Sequence, residues 1–394
     1  MRSFYDSIFF NVPPLRFPEF NGEWEKCTIK DYGEVVTGNT PPTSNSEYYD
    51  NGSYLWASPA DLGISKNITE TKTKLSLSGF RKTRNIPKGS VLITCIGSTI
   101  GKMGMATETM SSNQQINSIV INDKSDSDFV YYAISRAFPR YLSEVGIQAV
   151  PILSKSNFEK LPNYTTCREE QDKIGYFLNL LDERIATQNK IIEDLKKLKS
   201  AIIEMEYTHK TKSNSHIGDF IEQTSKRNKN CAIQNVLSVS NRQGFIQQSE
   251  QFENRSVASD DTSNYKIVEK NDFAFNPARI NVGSIARLTT FDRGIVSPMY
   301  ICFRTKDTLF PEYLDYYFET KQFFTEIQKR LEGSVRQCLS FEGLCNIPLC
   351  IPTIEVQRQV GNQLSTLAQE IKLEIDFLEL LQRQKKFLLH QMFI

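Results

Sequence analysis

The 394-residue sequence predicts an α+β (mixed) protein of two tandem globular domains, each followed by a long α-helix. The first observation is a heptad seam in residues 168–206, where alternating steps of four and three residues from Ile174 reach apolar side chains at seven of ten positions. The same seam returns 186 residues further on, starting at Val360, and its first two polar interruptions return with it. These interruptions are Gln188 with Glu374, and Lys199 with Lys385. We therefore predict an internal repeat whose two helices pair as an antiparallel coiled coil with pseudo-two-fold symmetry.

The repeat also defines the predicted domain boundaries. Leu161-Pro162 before the first helix corresponds to Ile347-Pro348 before the second, and a Glu-x-Gln sequence follows each dipeptide. The predicted segments are a first globular domain at residues 1–160, a first long spacer helix at 161–207, a second globular domain at 208–347 and a second long spacer helix at 348–394.

Composition is that of an ordinary globular protein. Hydrophobic residues make up 39% and charged residues 24%, and the net charge of +1 points to no particular partner. No apolar run approaches the ~18 residues of a membrane span, so we expect a cytoplasmic protein without a membrane partner. Eight scattered cysteines without a C-x-x-C pair, and only three histidines, argue against a metal site and predict reduced, mostly buried thiols.

The chain enters the first domain through a proline-bounded aromatic segment, residues 13–25, which we expect to pack on that domain. A strand is predicted at residues 28–36. The turn-rich loop 37–42 follows, where the backbone would turn sharply or approach a ligand closely. Residues 54–59 form a short aromatic strand that a proline ends, and core packing is the favoured role of its side chains.

Positive charge is concentrated between Lys66 and Lys102, where eight lysine and arginine residues accompany a single acid, Glu70. A partner that bears phosphates would explain this excess, although lysines are equally common on solvated faces. A compact basic cluster also lies at residues 226–229 of the second domain. The candidate phosphate contacts are Lys72, Lys74, Arg81, Arg84, Lys102, Lys226, Arg227 and Lys229.

A predicted buried strand at residues 91–96 leads into the glycine-rich loop 97–102. This loop is one residue too short for a nucleotide-binding phosphate loop, and Met103 stands where that motif has serine or threonine, so we reject a nucleotide site. A glycine-rich hairpin with one lysine can instead lie close to a DNA backbone. Because amides can read adenine edges, the candidate base contacts of the first domain are Asn113, Gln114 and Gln115.

The second domain repeats this frame with different loops. Residues 268–275 correspond to 86–93, which places residues 276–279 where the first domain begins its glycine-rich loop. Their sequence, Asn-Pro-Ala-Arg, is close to the motif with which adenine methyltransferases hold the target amino group, but it lacks the aromatic residue, and no cofactor loop precedes it. Asn276 and Arg279 are therefore candidate base contacts, and no catalytic residue is assigned.

Several features together resemble the specificity subunit of a type I restriction-modification system, over essentially the whole chain. They are the entry segment 13–25, the loop 37–41 with Trp56 and Asp61-Leu62 downstream, the hairpin 97–102 with Asn113 to Gln115, its counterpart from Asn276 to Tyr300, and the duplicated Glu-x-Gln helices. The resemblance implies two target-recognition domains, each reading one half of an asymmetric bipartite DNA sequence. The helices would set the spacing and dock partner subunits.

The resemblance further implies a non-catalytic DNA-recognition subunit. Its partners would be double-stranded DNA, two methyltransferase subunits and restriction/translocase subunits. S-adenosylmethionine, ATP and magnesium ions are then expected only in those partners, and no cofactor is expected in this chain. Because the seam buries one stripe of each helix, flanking side chains are the candidate partner contacts: Leu198, Ile203, Phe377 and Leu380.

Two alternatives remain from other classes of protein. A coiled-coil scaffold without sequence-specific DNA binding would account for the helices, but it gives the duplicated domains and the basic stretch no role. A free-standing DNA enzyme would need an acid-rich metal site or a cofactor loop, and the sequence contains neither a P-D…(D/E)-x-K cluster nor G-x-G-x-x-G.

Overall fold

The computed structural model describes residues 11–144, 152–207, 215–241, 243–248, 261–333 and 337–394. The chain divides into two units, the first of Met1–Gln188 with Phe377–Ile394 and the second of Asn189–Asp376. Each unit therefore combines one globular domain with a part of both long helices. The predicted start of the second domain at residue 208 lies outside the described residues.

The first domain contains both strands and helices. Its described strands are β1 (Glu25–Thr28), β2 (Gly33–Thr37), β3 (Tyr54–Ala57), β4 (Asn67–Ile68), β5 (Thr73–Leu75), β6 (Asn85–Ile86), β7 (Val91–Thr94), β8 (Met103–Ala106), β9 (Met110–Ser112), β10 (Ile116–Ile121) and β11 (Pro162–Thr165). The described helices are α1 (Ile29–Tyr32), α2 (Leu77–Phe80), α3 (Ser127–Glu144), α4 (Lys155–Glu159) and the long α5 (Arg168–Tyr207).

The second domain is built in the same way. Its described strands are β12 (Ile221–Thr224), β13 (Val236–Ser240), β14 (Gly244–Gln247), β15 (Lys266–Glu269), β16 (Phe273–Phe275), β17 (Ile285–Arg287), β18 (Arg293–Val296) and β19 (Ile301–Thr305). The described helices are α6 (Ile217–Phe220), α7 (Pro311–Tyr317), α8 (Lys321–Gln328), α9 (Phe341–Cys345) and the long α10 (Ile354–Met392).

The two domains share one sheet topology. In the first domain the strand orders are β2-β10-β7-β8-β4 and β5-β3-β9-β6, and in the second they are β12-β19-β16-β17 and β14-β13-β18-β15. The parallel pair β3 and β9 recurs as β13 and β18, and the first domain adds β4 at one edge. The internal repeat is thus a repeat of structure, and the predicted α+β fold class is confirmed.

The long helices pack antiparallel in the first unit. In the first unit Leu178 and Leu388 share one core, Asp182 forms an ion pair with Lys385, and the guanidinium of Arg184 lies over the ring of Phe377. Residue numbers thus rise along α5 while those of the contacting residues fall along α10, as in an antiparallel pair. In the second unit the last part of α5 and the first part of α10 contribute to one core with α7.

The entry segment packs on the first domain, as predicted. Trp24 is 1% exposed and lies edge-on to Phe129 and to Phe393 near the end of the chain. Arg16 donates to both carboxylate oxygens of Glu170 at 2.7 Å, and this partner raises the pKa of the guanidinium. The segment is thereby fixed to the start of α5.

A buried glutamine ties the start of each long helix to its domain. The side-chain oxygen of Gln171 accepts from the backbone N–H of Asp126 at 3.0 Å, and that of Gln357 accepts from the N–H of Phe310 at 2.8 Å. Both amides also donate to backbone carbonyls just before their own helix. Asp126 and Phe310 directly precede α3 and α7, which explains why the glutamine of the Glu-x-Gln sequence occurs twice.

The recurring lysines of the heptad seam have equivalent surroundings. Lys199 forms an ion pair with Glu319 at 2.7 Å and lies 4.9 Å from the centre of the Tyr316 ring. Its counterpart Lys385 lies 5.6 Å from the centre of the Tyr132 ring. A lysine can cover apolar surface with its stem while its ammonium group contacts an acid and an aromatic ring. Lys199 and Lys385 therefore contribute to packing although they interrupt the apolar seam.

Three local predictions differ from the structure. The strand predicted at residues 28–36 is broken by α1, because Asp31 accepts from the N–H and hydroxyl of Thr28 at 2.7 and 2.8 Å and closes a capping box. The long helices begin at Arg168 and Ile354, later than the predicted segment boundaries. Before the first of them, residues 162–165 pair with β1 as a strand.

The third difference concerns the cysteines. All eight are unpaired. Only Cys95 and Cys302 are buried, and Cys167 is exposed, so the expectation of mostly buried thiols is wrong. Burial raises the pKa of Cys95 and of Cys302 to about 12, which keeps both thiols protonated at neutral pH. In the described part of the chain, no helix is both long and apolar enough to cross a membrane.

Gly175 and Gly361 occupy equivalent positions where the long helices touch their domains. An added Cβ would lie 2.3 Å from Oδ1 of Asp126 at Gly175, and 2.9 Å from Cβ of Glu312 at Gly361. Overpacking typically costs about 1–3 kcal/mol, so we expect Gly175→Ala and Gly361→Ala each to lower Tm by several degrees in thermal unfolding followed by circular dichroism. Ser200→Ala, at an exposed helical position, is the control and should leave Tm unchanged. An unchanged Tm in both glycine variants would contradict the close packing.

Candidate nucleic-acid interface

The candidate base contacts of the first domain lie together at one end of its sheets. Asn113, Gln114 and Gln115 connect β9 to β10, and the hairpin between β7 and β8 lies beside them. The backbone N–H of Cys95 donates to the carbonyl of Gln115 at 2.7 Å. The structure therefore joins the glycine-rich loop and the amide cluster that the sequence singled out separately.

The loop 37–42 joins the same surface. The hydroxyl of Thr40 donates to Oε1 of Gln114 at 2.6 Å, and the N–H of Asn39 donates to the carbonyl of Ser112 at 2.9 Å. A Cβ on Gly38 would lie 2.2 Å from that carbonyl oxygen, so only glycine fits there. The sequence predicts that the backbone of loop 37–42 turns sharply or closely approaches a ligand. In the structure, this loop closely approaches the protein's own backbone at Ser112.

Asn39, which sequence reasoning missed, organises this surface. Its Nδ2 donates to the carbonyl of Lys82 at 2.9 Å, and its Oδ1 accepts from the N–H of Arg84 at 2.8 Å. The indole N–H of Trp56 donates to the carbonyl of Asn39 at 3.1 Å. An asparagine in a turn-rich stretch is the available signal, since its amide can bond to backbone groups, but the sequence does not reveal which ones.

Asn113 and Asn276, two of the candidate base contacts, are buried and support their loops. Asn113 is 8% exposed and its Oδ1 accepts from the N–H of Gln115 at 2.9 Å. Asn276 is 7% exposed and its Oδ1 accepts from the N–H of Ala278 at 3.1 Å. Both are turns in which a side-chain amide replaces a backbone acceptor. Gln114 is exposed and Gln115 half-buried.

The basic residues of the first domain divide into exposed and engaged groups. Of the five predicted phosphate contacts here, Lys72, Arg81, Arg84 and Lys102 are exposed, as are Lys82 and Lys88 of the same stretch. Lys74 pairs with Glu70 at 2.8 Å, and the guanidinium of Arg84 also donates to the carbonyl of Thr37 at 2.8 Å. Lys66 belongs to the basic stretch only in sequence, because it forms an internal ion pair with Asp128.

The internal position of Lys66 ties β4 to the helices. Its ammonium group donates to the hydroxyl of Tyr132 at 3.1 Å and to Oδ1 of Asn179 at 2.9 Å. Burial, together with the neighbouring Asp182, raises the pKa of Tyr132, so its hydroxyl stays protonated and donates to Asp182 at 2.7 Å. The surface excess of positive charge is therefore smaller than the sequence suggests.

The second domain has a cleft of about 370 Å³ at the corresponding end of its sheets. Its lining includes Asn276 and Arg279 from the loop between β16 and β17, and Met299 and Tyr300 from the connection between β18 and β19. These are the counterparts of the glycine-rich hairpin and the amide connection in the first domain. The structure thus brings the two predicted base contacts of this domain to one concave site.

The loop that carries Arg279 is held on both sides. The N–H of Arg279 donates to the carbonyl of Asn276 at 3.0 Å, and its own carbonyl accepts from the N–H of Ser284 at 3.1 Å. A single 3₁₀ turn, Ile280–Val282, lies between them and ends at Gly283, whose φ of 90° is in the left-handed region that favours glycine. The exposed side chain of Arg279 thus extends from a backbone that hydrogen bonds hold in place.

The basic cluster 226–229 lies beside β15. The carbonyl of Lys226 accepts from the N–H of Ile267 at 2.8 Å, and the guanidinium of Arg227 donates to Oδ1 of Asn264 at 2.7 Å. Lys226, Arg227 and Lys229 are exposed. The structure therefore leaves all three predicted phosphate contacts on the surface.

Three of the four candidate partner contacts are exposed. Leu198, Phe377 and Leu380 are 50%, 37% and 59% exposed, whereas Ile203 is 3% exposed. Its burial in the core of the second unit rules Ile203 out as an exposed contact. The heptad pattern predicts which stripe faces the paired helix but not what the globular domain covers. Sequence reasoning missed further exposed apolar side chains of the long helices, which include Tyr176, Leu180, Met205, Leu373 and Phe387.

Comparison with solved structures shows the class of fold. The specificity subunit of a type I restriction-modification system from M. genitalium superposes with a TM-score of 0.63 at 16% identity, covering 97% of this chain and 99% of that chain. A chain from a structure on complex assembly and conformational transition of the type I system gives a TM-score of 0.55 at 13% identity, covering 95% and 98%. The chain has the fold of type I specificity subunits.

Residues 21–197 match the family model of the type I restriction modification DNA specificity domain. The HindI specificity subunit of Haemophilus influenzae is 31% identical over 37% of this chain and 32% of its own length. The MjaIX specificity subunit of Methanocaldococcus jannaschii is 32% identical over 45% of this chain and 42% of its own length. The matched stretches thus span less than half of these relatives. The resemblance to type I specificity subunits that the sequence predicts is confirmed by these matches.

Asn39→Ala removes both side-chain bonds to the Lys82 and Arg84 backbone. We expect faster trypsin cleavage after these two residues, because the turn between α2 and β6 that carries them loses its anchor, with little change in overall Tm. Limited proteolysis read by mass spectrometry measures the cleavage rate. Asn67→Ala, at an exposed position of β4, is the matched control. Equal cleavage of the Asn39 and Asn67 variants would contradict the role given to Asn39.

Proposed function

We propose that the chain is the DNA sequence-specificity subunit of a type I restriction-modification complex, in which each globular domain reads one half of an asymmetric bipartite target. The observation that carries the proposal is one sheet topology used twice with different loops at the same end. Two copies of one fold meet two half-sites as the subunits of a dimer do. Different side chains on the loops give different half-sites.

Within this proposal the exposed cations hold phosphates and the loop side chains read bases. Phosphate contacts fix the register of a protein on the duplex, whereas base edges carry the sequence information. Lys72, Arg81, Lys102, Lys226 and Lys229 serve the first role. Gln114 and Arg279 serve the second, on loops that Asn113 and Asn276 shape.

The chain is proposed to recognise DNA without transforming it. Methyl transfer, cleavage and translocation then belong to methyltransferase and restriction subunits, which bind S-adenosylmethionine, ATP and magnesium ions. Relatives of this chain are named as specificity subunits, which supports the division of labour. A coiled-coil scaffold, the alternative, would leave the cleft and the exposed loops of the domains without a role.

Exchange of the second domain tests independent reading. Replacing residues 208–345 by the matching segment of a relative should change one half of the methylated motif and leave the other half intact, because each domain has its own sheets and loops. Methylome sequencing of cells that carry the variant with its methyltransferase reads both halves at once. A change in both halves, or a continuous motif in the parent, would sink the proposal.

The long helices are proposed to set the distance between the half-sites. Helix α5 has 40 residues, and at ~1.5 Å per residue four inserted residues between Asn189 and Lys190 add about 6 Å and rotate the helix by about one turn. At ~3.4 Å per base pair, the methylated motif should gain one or two unread base pairs. Some loss of stability is expected from the four-residue stutter.

Methylome sequencing measures this spacing, and a two-residue insertion is the matched control. Two residues rotate the helix by about 200°, so that variant should lose methylation. An active four-residue variant that keeps the parental spacing would show that the helices do not determine the distance.

The exposed apolar side chains of the long helices are proposed to dock the methyltransferase subunits, two per chain. Changing Leu198, Phe377 and Leu380 to serine together should reduce association about tenfold or more, because a few anchor side chains carry most of the binding energy of an interface and the triple change removes three candidates at once. Quantitative pull-down with the methyltransferase measures the loss. Lys196→Ser, at an exposed position of α5, should bind normally, and full binding by the triple variant would contradict the docking site.

A further inference from the structure

The mouth of the cleft in the second domain combines one cation with two exposed apolar side chains. Arg279, Val282 and Met299 all line the cleft. Val282 is 53% exposed and Met299 is 58% exposed. Singly scattered apolar residues are normal on a surface, but two at the rim of a concave site, beside a guanidinium, form a mixed surface that favours a ligand with both polar and methyl groups.

The guanidinium of Arg279 has no hydrogen-bond or ion-pair partner among the described residues. Two other arginines of the domain are engaged: Arg287 binds Glu312 at 2.6 Å and Arg304 binds Asp272 at 3.1 Å. A guanidinium keeps its charge and offers N–H donors in a fixed fork. Arg279 therefore presents an unused bidentate donor from a backbone that is already fixed.

The floor of the cleft is occupied by internal bonds. The hydroxyl of Ser284 donates to the carbonyl of Val239 at 3.2 Å, and the hydroxyl of Tyr300 accepts from the N–H of Val239 at 3.3 Å. The ammonium group of Lys266 donates to the carbonyl of Tyr300 at 2.6 Å. These bonds fix the shape of this part of the cleft, whereas Oε1 of Gln248, also in the lining, is buried without a hydrogen-bond partner among the described residues.

A base edge fits this rim better than a phosphate does. A phosphate would use the cation but would place its hydrated oxygens against Val282 and Met299. In the major groove, guanine presents O6 and N7 to a bidentate arginine, and thymine presents a methyl group to apolar side chains. Adjacent guanine and thymine bases would therefore use all three rim residues.

We propose that Arg279 reads a guanine in the half-site of the second domain, and that Val282 and Met299 contact the methyl group of a neighbouring thymine. This inference rests on the proposed function, because it requires that the domain bind a specific sequence. It adds the base that the cleft selects and two residues that determine the choice.

The test uses the complete complex of the chain with its methyltransferase subunits, and duplexes that carry the methylated motif. Replacing a guanine by 7-deazaguanine removes the N7 acceptor, and replacing a thymine by uracil removes the methyl group. At one guanine of the second half-site, we expect 7-deazaguanine to lower the DNA affinity of the wild-type complex about tenfold. The same substitution should have little further effect on Arg279→Ala. Uracil beside it should weaken the wild type but not Met299→Ala.

Methylome sequencing of the Arg279→Ala complex should show that preference for this guanine falls roughly tenfold to hundredfold while the other positions keep theirs. Arg293→Ala, an exposed arginine of the same domain, is the control and should leave every position unchanged. Uniform weakening of all sequences by Arg279→Ala would make the residue a phosphate contact and overturn the inference.

The wild-type complex decides the matter even if Arg279→Ala does not fold. A second half-site without guanine on either strand, or one in which no guanine responds to 7-deazaguanine, would also overturn the inference. Failure of the proposed function gives a different result, because the wild-type complex would then prefer no motif at all.

Discussion

The bond between a buried glutamine and the backbone before the next helix is the connection on which each unit depends. Gln171 and Gln357 are 2% and 1% exposed, and each is bonded both to its own helix entry and to the residue that precedes α3 or α7. A buried amide that lost these partners would leave several polar groups unsatisfied, at about 1–3 kcal/mol each. The neighbouring Gly175 and Gly361 allow the close contact, so one small motif fixes each domain on its helix.

The sheets supply an invariant frame, and the loops at one end carry the differences. Asn39 and Asn276 use their amides to hold backbone, which leaves recognition to fewer side chains than a count of polar residues suggests. When the backbone below an exposed side chain is already rigid, less conformational entropy is lost as that side chain binds a ligand. The same frame can therefore present Gln114 in one domain and Arg279 in the other.

The long helices could be predicted closely, because a heptad pattern is a local property that repeats over many turns. The heptad seam of residues 168–206 coincides with the helix observed at Arg168–Tyr207, although the predicted helical segment began at residue 161. Side-chain roles that depend on distant residues could not be predicted. Lys66 meets Asp128 only after folding, and Ile203 is covered by the globular domain of its unit. The location of the candidate site followed from the repeat, whereas the engagement of Asn113 depends on turn geometry.

The core of the first unit joins residues that lie far apart in the sequence, since Trp24 and Phe129 contact Phe393. During synthesis Trp24 and Phe129 emerge early, whereas Phe393 follows the whole second domain. Domains usually fold as units in order of emergence. The first unit can therefore complete its core only after the second domain has been made, and until then the aromatic side chains that pack against Phe393 stay exposed to solvent.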